Sequence, residues 1–144
     1  MCGIAGFLTQ GMQHPTPELL QEMGEAIAHR GPDAFATYLD NTVGLVHRRL
    51  SIIDLSTAGV QPMYSADKQC VIVFNGEIYN FQALREELVA DGYPFQSHTD
   101  TEVILALYQK EGIDCLAKLH GMFAFALWDM RTETLWLARD RIGK

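Results

Sequence analysis

The residue with the most chemical promise sits at the start of the chain. Cys2 directly follows Met1. A side chain this small leads us to expect removal of Met1, which would give Cys2 a free α-amine. One residue then carries both a nucleophile and a base. An α-amine titrates at about 7.7–8.0 in model peptides, close to neutrality. It can take the thiol proton directly or through a water, and only the thiolate attacks well. Position 2 can equally be an ordinary cysteine, because chain termini are commonly frayed. The apolar residues from Ile4 to Leu8 favour the chemical reading, since a strand there would anchor the terminus in a sheet. Cys70 and Cys115 read as small core hydrophobes. Three widely spaced cysteines fit neither a disulfide framework nor a zinc site, and the five histidines show no metal-ligand pattern.

The elements that would position Cys2 follow from pattern. A strand is expected over 4–8. A helix follows, with Thr16 as N-cap, Pro17 at its first position, and Leu19, Leu20, Met23 and Ile27 on one face. Gly31-Pro32 marks a turn, and Asp33 is expected to fix it. Strands are expected over 34–39 and 42–53, joined by a turn at Asp40-Asn41, with a long loop over 54–69. The apolar run 70–74 reads as a buried strand. Asn75-Gly76 is a strong hairpin signal. The residues after it, up to Asn80, lead into a helical pattern and weaken that reading. Asn80 is expected to cap a helix carrying Leu84 and Leu88, ended by Gly92. Thr99-Asp100-Thr101-Glu102 reads as a capping box before a helix with Val103, Ile104, Leu107 and Tyr108 on its apolar stripe. Residues 122–128 are apolar on both faces, so that strand should be covered on both sides. It turns at 129–134 and returns as a hairpin over 135–139, with Trp128 facing Trp136. Clustered strands, clustered helices and hairpins define an α+β fold.

The composition narrows the function classes. The 144 residues suit one domain, and 48% apolar with 20% charged residues is globular composition. Eighteen acidic against eleven basic residues give a net charge of −7. That balance argues against non-specific nucleic-acid binding or a cationic membrane surface. No signal peptide and no membrane span is apparent, and unpaired thiols suit a cytoplasmic chain. The run from Arg139 to Lys144 carries no cap or polar tail, so the chain is expected to continue beyond it.

Seven motifs in order carry a resemblance. They are Met1-Cys2-Gly3-Ile4-Ala5-Gly6, His29-Arg30-Gly31-Pro32-Asp33, Arg49-Leu50-Ser51-Ile52-Ile53-Asp54, Gln61-Pro62-Met63, Asn75-Gly76-Glu77-Ile78-Tyr79-Asn80, Thr99-Asp100-Thr101-Glu102 and Gly121-Met122-Phe123-Ala124-Phe125. Together they resemble the N-terminal glutaminase domain of glutamine-hydrolysing asparagine synthetases, which are class II glutamine amidotransferases. The resemblance spans essentially all of residues 1–144. It implies an N-terminal nucleophile hydrolase fold, a four-layer αββα sandwich.

The resemblance also implies roles for particular residues. Cys2 would be the nucleophile, with the Asn75 amide and the Gly76 N–H as the oxyanion hole. Arg49 would hold the glutamine α-carboxylate, which suits a planar guanidinium fork. Asp100 would pair with the α-ammonium. Leu50, Ser51, Ile52, Ile53 and Glu77 would line the same pocket. From the residues alone, Arg49 could be a surface ion-pairing residue, Asp100 a helix-capping acid and Glu77 a solvated one.

The implied substrate is L-glutamine, hydrolysed through a Cys2 thioester with no metal and no organic cofactor. ATP and Mg are expected only in a synthetase domain, for which this chain has no phosphate-cradling run. That domain is the implied partner within a full-length chain, which would make the present domain incomplete, and a homodimer is a further expectation. Two alternatives stand beside this reading. The ammonia could go to another acceptor carboxylate on a sugar or cell-surface precursor. The chain could also be a non-catalytic glutamine-binding module if Met1 is retained.

Overall fold

The computed structural model describes residues 2–9, 16–50 and 59–143. Two antiparallel sheets form its centre. The first has the order β1-β3-β2, with β1 at Gly3–Leu8, β2 at Ala34–Leu39 and β3 at Val43–Arg49. The second has the order β4-β5-β6-β7, with β4 at Met63–Tyr64, β5 at Cys70–Ile78, β6 at Gly121–Asp129 and β7 at Thr134–Arg139. Helix α1 is Pro17–Ala26, α2 is Phe81–Ala90 and α3 is Asp100–Glu111.

Strand alternation explains how the layers stack. On β3, Val43 and Leu45 pack with Val71, Val73, Ala126 and Trp128 of the second sheet. The alternate residue Gly44 faces α1, where an added Cβ would lie 2.8 Å from Leu20. The Arg48 side chain, on that same face, donates from Nε to the Gly24 carbonyl at 2.9 Å. On the second sheet, Ile72, Phe74, Phe123, Phe125 and Leu127 turn the other way, onto Val103, Ile104 and Leu107 of α3. The layers therefore run α1, first sheet, second sheet, α2 with α3. This is the expected αββα sandwich, and β6 is apolar on both faces because a layer covers each.

Local signals explain the helix starts. Thr16 Oγ1 accepts the Leu19 N–H at 3.3 Å, with Pro17 at the first helical position. Thr99 Oγ1 accepts the Glu102 N–H at 3.3 Å. The capping box is only half made. Glu102 is buried and reaches past Thr99 to accept the N–H groups of Gln96 at 2.8 Å and Ser97 at 2.6 Å. It thereby fastens the approach loop as well as the helix. α3 is buried from Thr101 to Tyr108, beyond its expected stripe, because α2 covers the side away from the sheet.

Five further expectations are corrected. β3 ends at Arg49, and the rest of the expected strand, 51–53, lies outside the described residues. The expected long loop contains β4. β5 continues four residues past Phe74, so Asn75-Gly76 lies inside a strand and makes no hairpin. Asn80 precedes α2 without capping it through its side chain; Nδ2 donates to the Lys118 carbonyl at 2.9 Å and Oδ1 accepts the His120 N–H at 3.0 Å. The two tryptophans are also out of register. Trp128 pairs with Leu135, and Trp136 with Leu127, so they occupy opposite faces. The hairpin turn through Glu133 (φ 49°) sets this offset.

β1 and β7 are edge strands, and an apolar cleft of about 580 Å³ opens between them, lined in part by Leu8, Leu45, Val73 and Leu137. No described helix is long and apolar enough to cross a membrane.

Leu127 is fully buried, whereas Leu137 on the neighbouring strand is 75% exposed. Leu127→Ala should cost about 2–5 kcal/mol through lost contacts and a residual cavity. Leu137→Ala should stay within about 0.5 kcal/mol of the parent. Urea unfolding of the two variants checks this contrast.

Candidate active site

The β1–β3 register pairs Gly3 with Arg48 and Ile4 with His47. One residue before Gly3, Cys2 therefore lies beside the end of β3. Its Sγ sits against the Leu50 peptide, 3.5 Å from the Leu50 N–H donor and 3.9 Å from the Leu50 carbonyl. The thiol is half-buried and free of any disulfide.

The end of β3 is itself buttressed. An added Cβ at Gly31 would lie 2.4 Å from the Arg48 carbonyl oxygen, so only glycine allows this approach. The Asp33 N–H donates to the Arg49 carbonyl at 3.0 Å. The His29-to-Asp33 motif thus supports the backbone that carries Arg49 and Leu50, while the His29 side chain stays exposed.

Arg49 follows His47 by two, so it shares the face of β3 that looks toward the second sheet. Its guanidinium lies beside Gly59 and the start of α3. A Cβ on Gly59 would lie 3.1 Å from Arg49 Nη2 and 3.4 Å from Thr99 Cγ2. Arg49 and the N-terminus of α3 are therefore near neighbours.

Asp100 opens α3. Its Oδ2 accepts the Ile78 N–H at 3.0 Å, which joins the helix to the end of β5. Burial raises the Asp100 carboxyl above the usual aspartate range, and the nearby Glu77 charge adds to the rise. Its hydrogen bonds from the Ile78 and Thr101 backbone oppose it. Glu77 is exposed.

On β5, Asn75 alternates with Val71 and Val73, so it faces the layer between the sheets. Its Oδ1 is buried without a hydrogen-bond partner. Gly76 has φ 155°, and an added Cβ would lie 2.2 Å from the Met122 carbonyl oxygen. Glycine is required there by close strand approach. Ser51, Ile52 and Ile53 lie outside the described residues. Of the expected set, then, Cys2, Arg49 and Leu50 converge at one end of β3, and Asn75, Gly76, Glu77 and Asp100 gather around the C-terminal half of β5.

Two buried polar side chains were not assigned a site role from sequence. Gln61 accepts the Phe74 N–H at 2.6 Å, and His47 is buried on β3. Nothing in the local sequence pattern distinguishes His47. Gln61 belongs to a motif with no evident local purpose, and that was the only signal pointing to it. Burial pushes the His47 pKa down from 6.5 to about 4, and the Arg49 charge adds to the fall; the Phe74 backbone hydrogen bond opposes it. His47 is neutral at physiological pH.

Known proteins place this arrangement. Two sheets packed face to face between helical layers, with the first thiol at a strand end, form an N-terminal nucleophile hydrolase sandwich. The family model for the glutamine amidotransferase domain matches residues 1–144, and the chain belongs to that family. It is 44% identical over 149 residues to asparagine synthetase [glutamine-hydrolyzing] 1 of Bacillus subtilis, covering 99% of this chain and 23% of that protein. It is 48% identical over 122 residues to asparagine synthetase B of Escherichia coli, covering 85% of this chain and 22% of that one. The glutamine phosphoribosylpyrophosphate amidotransferase structure from Bacillus subtilis superposes with a TM-score of 0.60 at 26% identity, over 73% of this chain and 24% of the other. The chain thus spans about a quarter of the length of the curated relatives it matches.

The depressed His47 pKa has a thermodynamic consequence. The unfolded state binds the proton below pH 6.5 and the folded state only near pH 4. Unfolded chains therefore hold more protons in that window, and stability falls as pH drops through it. The loss by pH 4.5 should be on the order of 2 kcal/mol. Chemical denaturation between pH 7 and pH 4.5 should show a shallower decline for His47→Asn than for the parent.

Proposed function

We propose that the chain hydrolyses glutamine to glutamate and ammonia through a thioester on Cys2. The observation that most supports this is the seat of the Cys2 sulfur on the Leu50 peptide, one residue from Arg49. Removal of Met1 frees the Cys2 amine. Cys2 then attacks the side-chain carbonyl of glutamine as its thiolate, the amine having taken the thiol proton. The S–C bond forms, and the carbonyl oxygen gains negative charge. The Asn75 amide and the Gly76 N–H stabilise that oxygen. The amine returns its proton to the departing nitrogen, the C–N bond breaks, and ammonia leaves. Water, deprotonated by the same amine, cleaves the thioester and restores the thiol with glutamate released.

The two ends of the amino acid have opposite charges, and the proposed site meets them separately. Arg49 binds the α-carboxylate, and Asp100 binds the α-ammonium. Leu50 and Glu77 line the pocket. A raised carboxyl pKa suits Asp100 to this task, because an arriving ammonium replaces solvation that burial has removed.

Residues 1–144 form the glutaminase part of a longer cytoplasmic enzyme. Thiolate, amine and oxyanion donors suffice for the hydrolysis, so it uses no metal or organic cofactor. ATP and Mg serve a synthetase domain in the full-length chain. There the ammonia amidates aspartate to asparagine, and the whole enzyme assembles as a homodimer. The identity between this chain and the named asparagine synthetases supports that acceptor.

Cys2→Ala should release no glutamate while still binding glutamine, as followed by a coupled glutamate assay and by calorimetry. Hydrolysis at the parent rate would refute the nucleophile. Arg49→Ala should raise KM with a smaller effect on kcat, because its ion pair forms in both ground and transition states. Asn75→Ala should lower kcat about 10²–10³-fold, the typical cost of one lost oxyanion donor.

A further inference from the structure

β4 pairs Met63 with Ile72 and Tyr64 with Val71. The same register, continued past Met63, sets Gln61 opposite Phe74. The bond there is made by a side chain in place of a peptide group. The buried Gln61 accepts the Phe74 N–H through Oε1 at 2.6 Å. The other end of the carboxamide goes to the helix. Gln61 Nε2 donates to Oγ1 of Thr101, itself buried, at 3.2 Å. Gln61 therefore satisfies a strand donor and a helical hydroxyl at once, which spares the interior two bare polar groups.

Thr101 follows Asp100, and Asp100 Oδ2 accepts the Ile78 N–H at 3.0 Å. Among the described residues, side chains thus stitch β5 to the first turn of α3 at Phe74 and at Ile78. Apolar contacts of Val103 and Ile104 press α3 onto the sheet, but such contacts have no direction. Hydrogen bonds do have direction, so they decide where the first turn stands along β5. The stitch at Ile78 is the Asp100 carboxylate itself. The stitch at Phe74 is the one that does not draw on the group assigned to the ligand.

We propose that Gln61 is a positioning residue for Asp100: by tying Thr101 to Phe74, it holds the start of α3 where the carboxylate meets the α-ammonium of glutamine. The inference rests on the glutaminase reading above. Without the Gln61 link, the Asp100 carboxylate alone stitches the first turn to β5, and the turn shifts with its acid. The loss falls on a contact made in both ground and transition states, so it appears in KM more than in kcat. It also falls only on ligands that carry the ammonium.

The test compares the parent chain with Gln61→Met, Thr101→Val, Asp100→Asn, and each of the first two combined with Asp100→Asn. Methionine has the length of glutamine without its amide, and valine the shape of threonine without its hydroxyl. Glutamate release gives kcat and KM for glutamine. Glutaramate is glutamine without its α-ammonium, and its inhibition constant against glutamine hydrolysis reports the rest of the site. Gln61→Met and Thr101→Val should each raise KM roughly tenfold, with kcat and the glutaramate constant within about threefold of the parent. With Asp100→Asn already in place, either change should move KM by less than about twofold, because the group being positioned is gone. Equal weakening of glutamine and glutaramate, a loss confined to kcat, parent-like KM in both single variants, or a full tenfold loss on top of Asp100→Asn would overturn the proposal. If Gln61→Met does not fold, Thr101→Val decides by the same criteria. A parent chain that hydrolyses no glutamine, or an Asp100→Asn variant with the parent KM, refutes the earlier reading of the site itself, and this inference with it.

Discussion

The antiparallel register of β1 on β3 is the constraint from which the site is built. Gly3 opposite Arg48 brings Cys2 to the end of β3, where its sulfur meets the Leu50 peptide. A one-residue slip would turn every β1 side chain to the other face of the sheet, and Cys2 would look toward α1. Ile4 would lose its place between the sheets at the same time. Burial on one face therefore protects the register, and the register places the thiol. A chain terminus, usually the least ordered part of a domain, acquires a defined position because a sheet holds it.

The second sheet supplies the complementary half through a different device. β5 is enclosed on both faces, with α3 on one and the first sheet on the other. Such a strand can carry polar groups only if each finds a partner. Its backbone achieves this through β6 along its length, through the Gln61 side chain at Phe74, and through the Asp100 carboxylate at Ile78. Asn75 and Gly76 lie between those last two supports. Rigid strands and a helix N-terminus, more than loops, thus set the proposed oxyanion donors and the acid beside them.

Charge is distributed in keeping with this design. The buried His47 stays neutral because burial and the Arg49 charge both disfavour its protonation. Burial likewise disfavours the charged form of Asp100 and raises its pKa, and backbone N–H donors oppose that rise. The Arg49 guanidinium and the Asp100 carboxyl thus stand near the start of α3, where the proposed zwitterionic ligand would meet them. The separate network of Tyr108, Asp129, Arg131 and Trp136 is structural; Arg131 clamps Asp129, while Tyr108 donates to that carboxylate and accepts from Trp136.

Much of this was legible in the residues. Local rules marked the helix starts at Thr16 and Thr99, and periodicity found the long strands, because capping and alternation act within a few residues. The apolar character of both faces of β6 implied a layer on each side. The motif order carried the family, the four layers and the expected site residues. Tertiary structure alone decided that Asn75-Gly76 lies within a strand, that Glu102 ties down Gln96 and Ser97, that Asn80 bridges to Lys118 and His120, and that Trp128 and Trp136 point apart. It also decided that Gln61 ties Phe74 to Thr101. Each of these outcomes depends on which distant group offers the better partner once the sheets have packed, and no short window of sequence contains that competition.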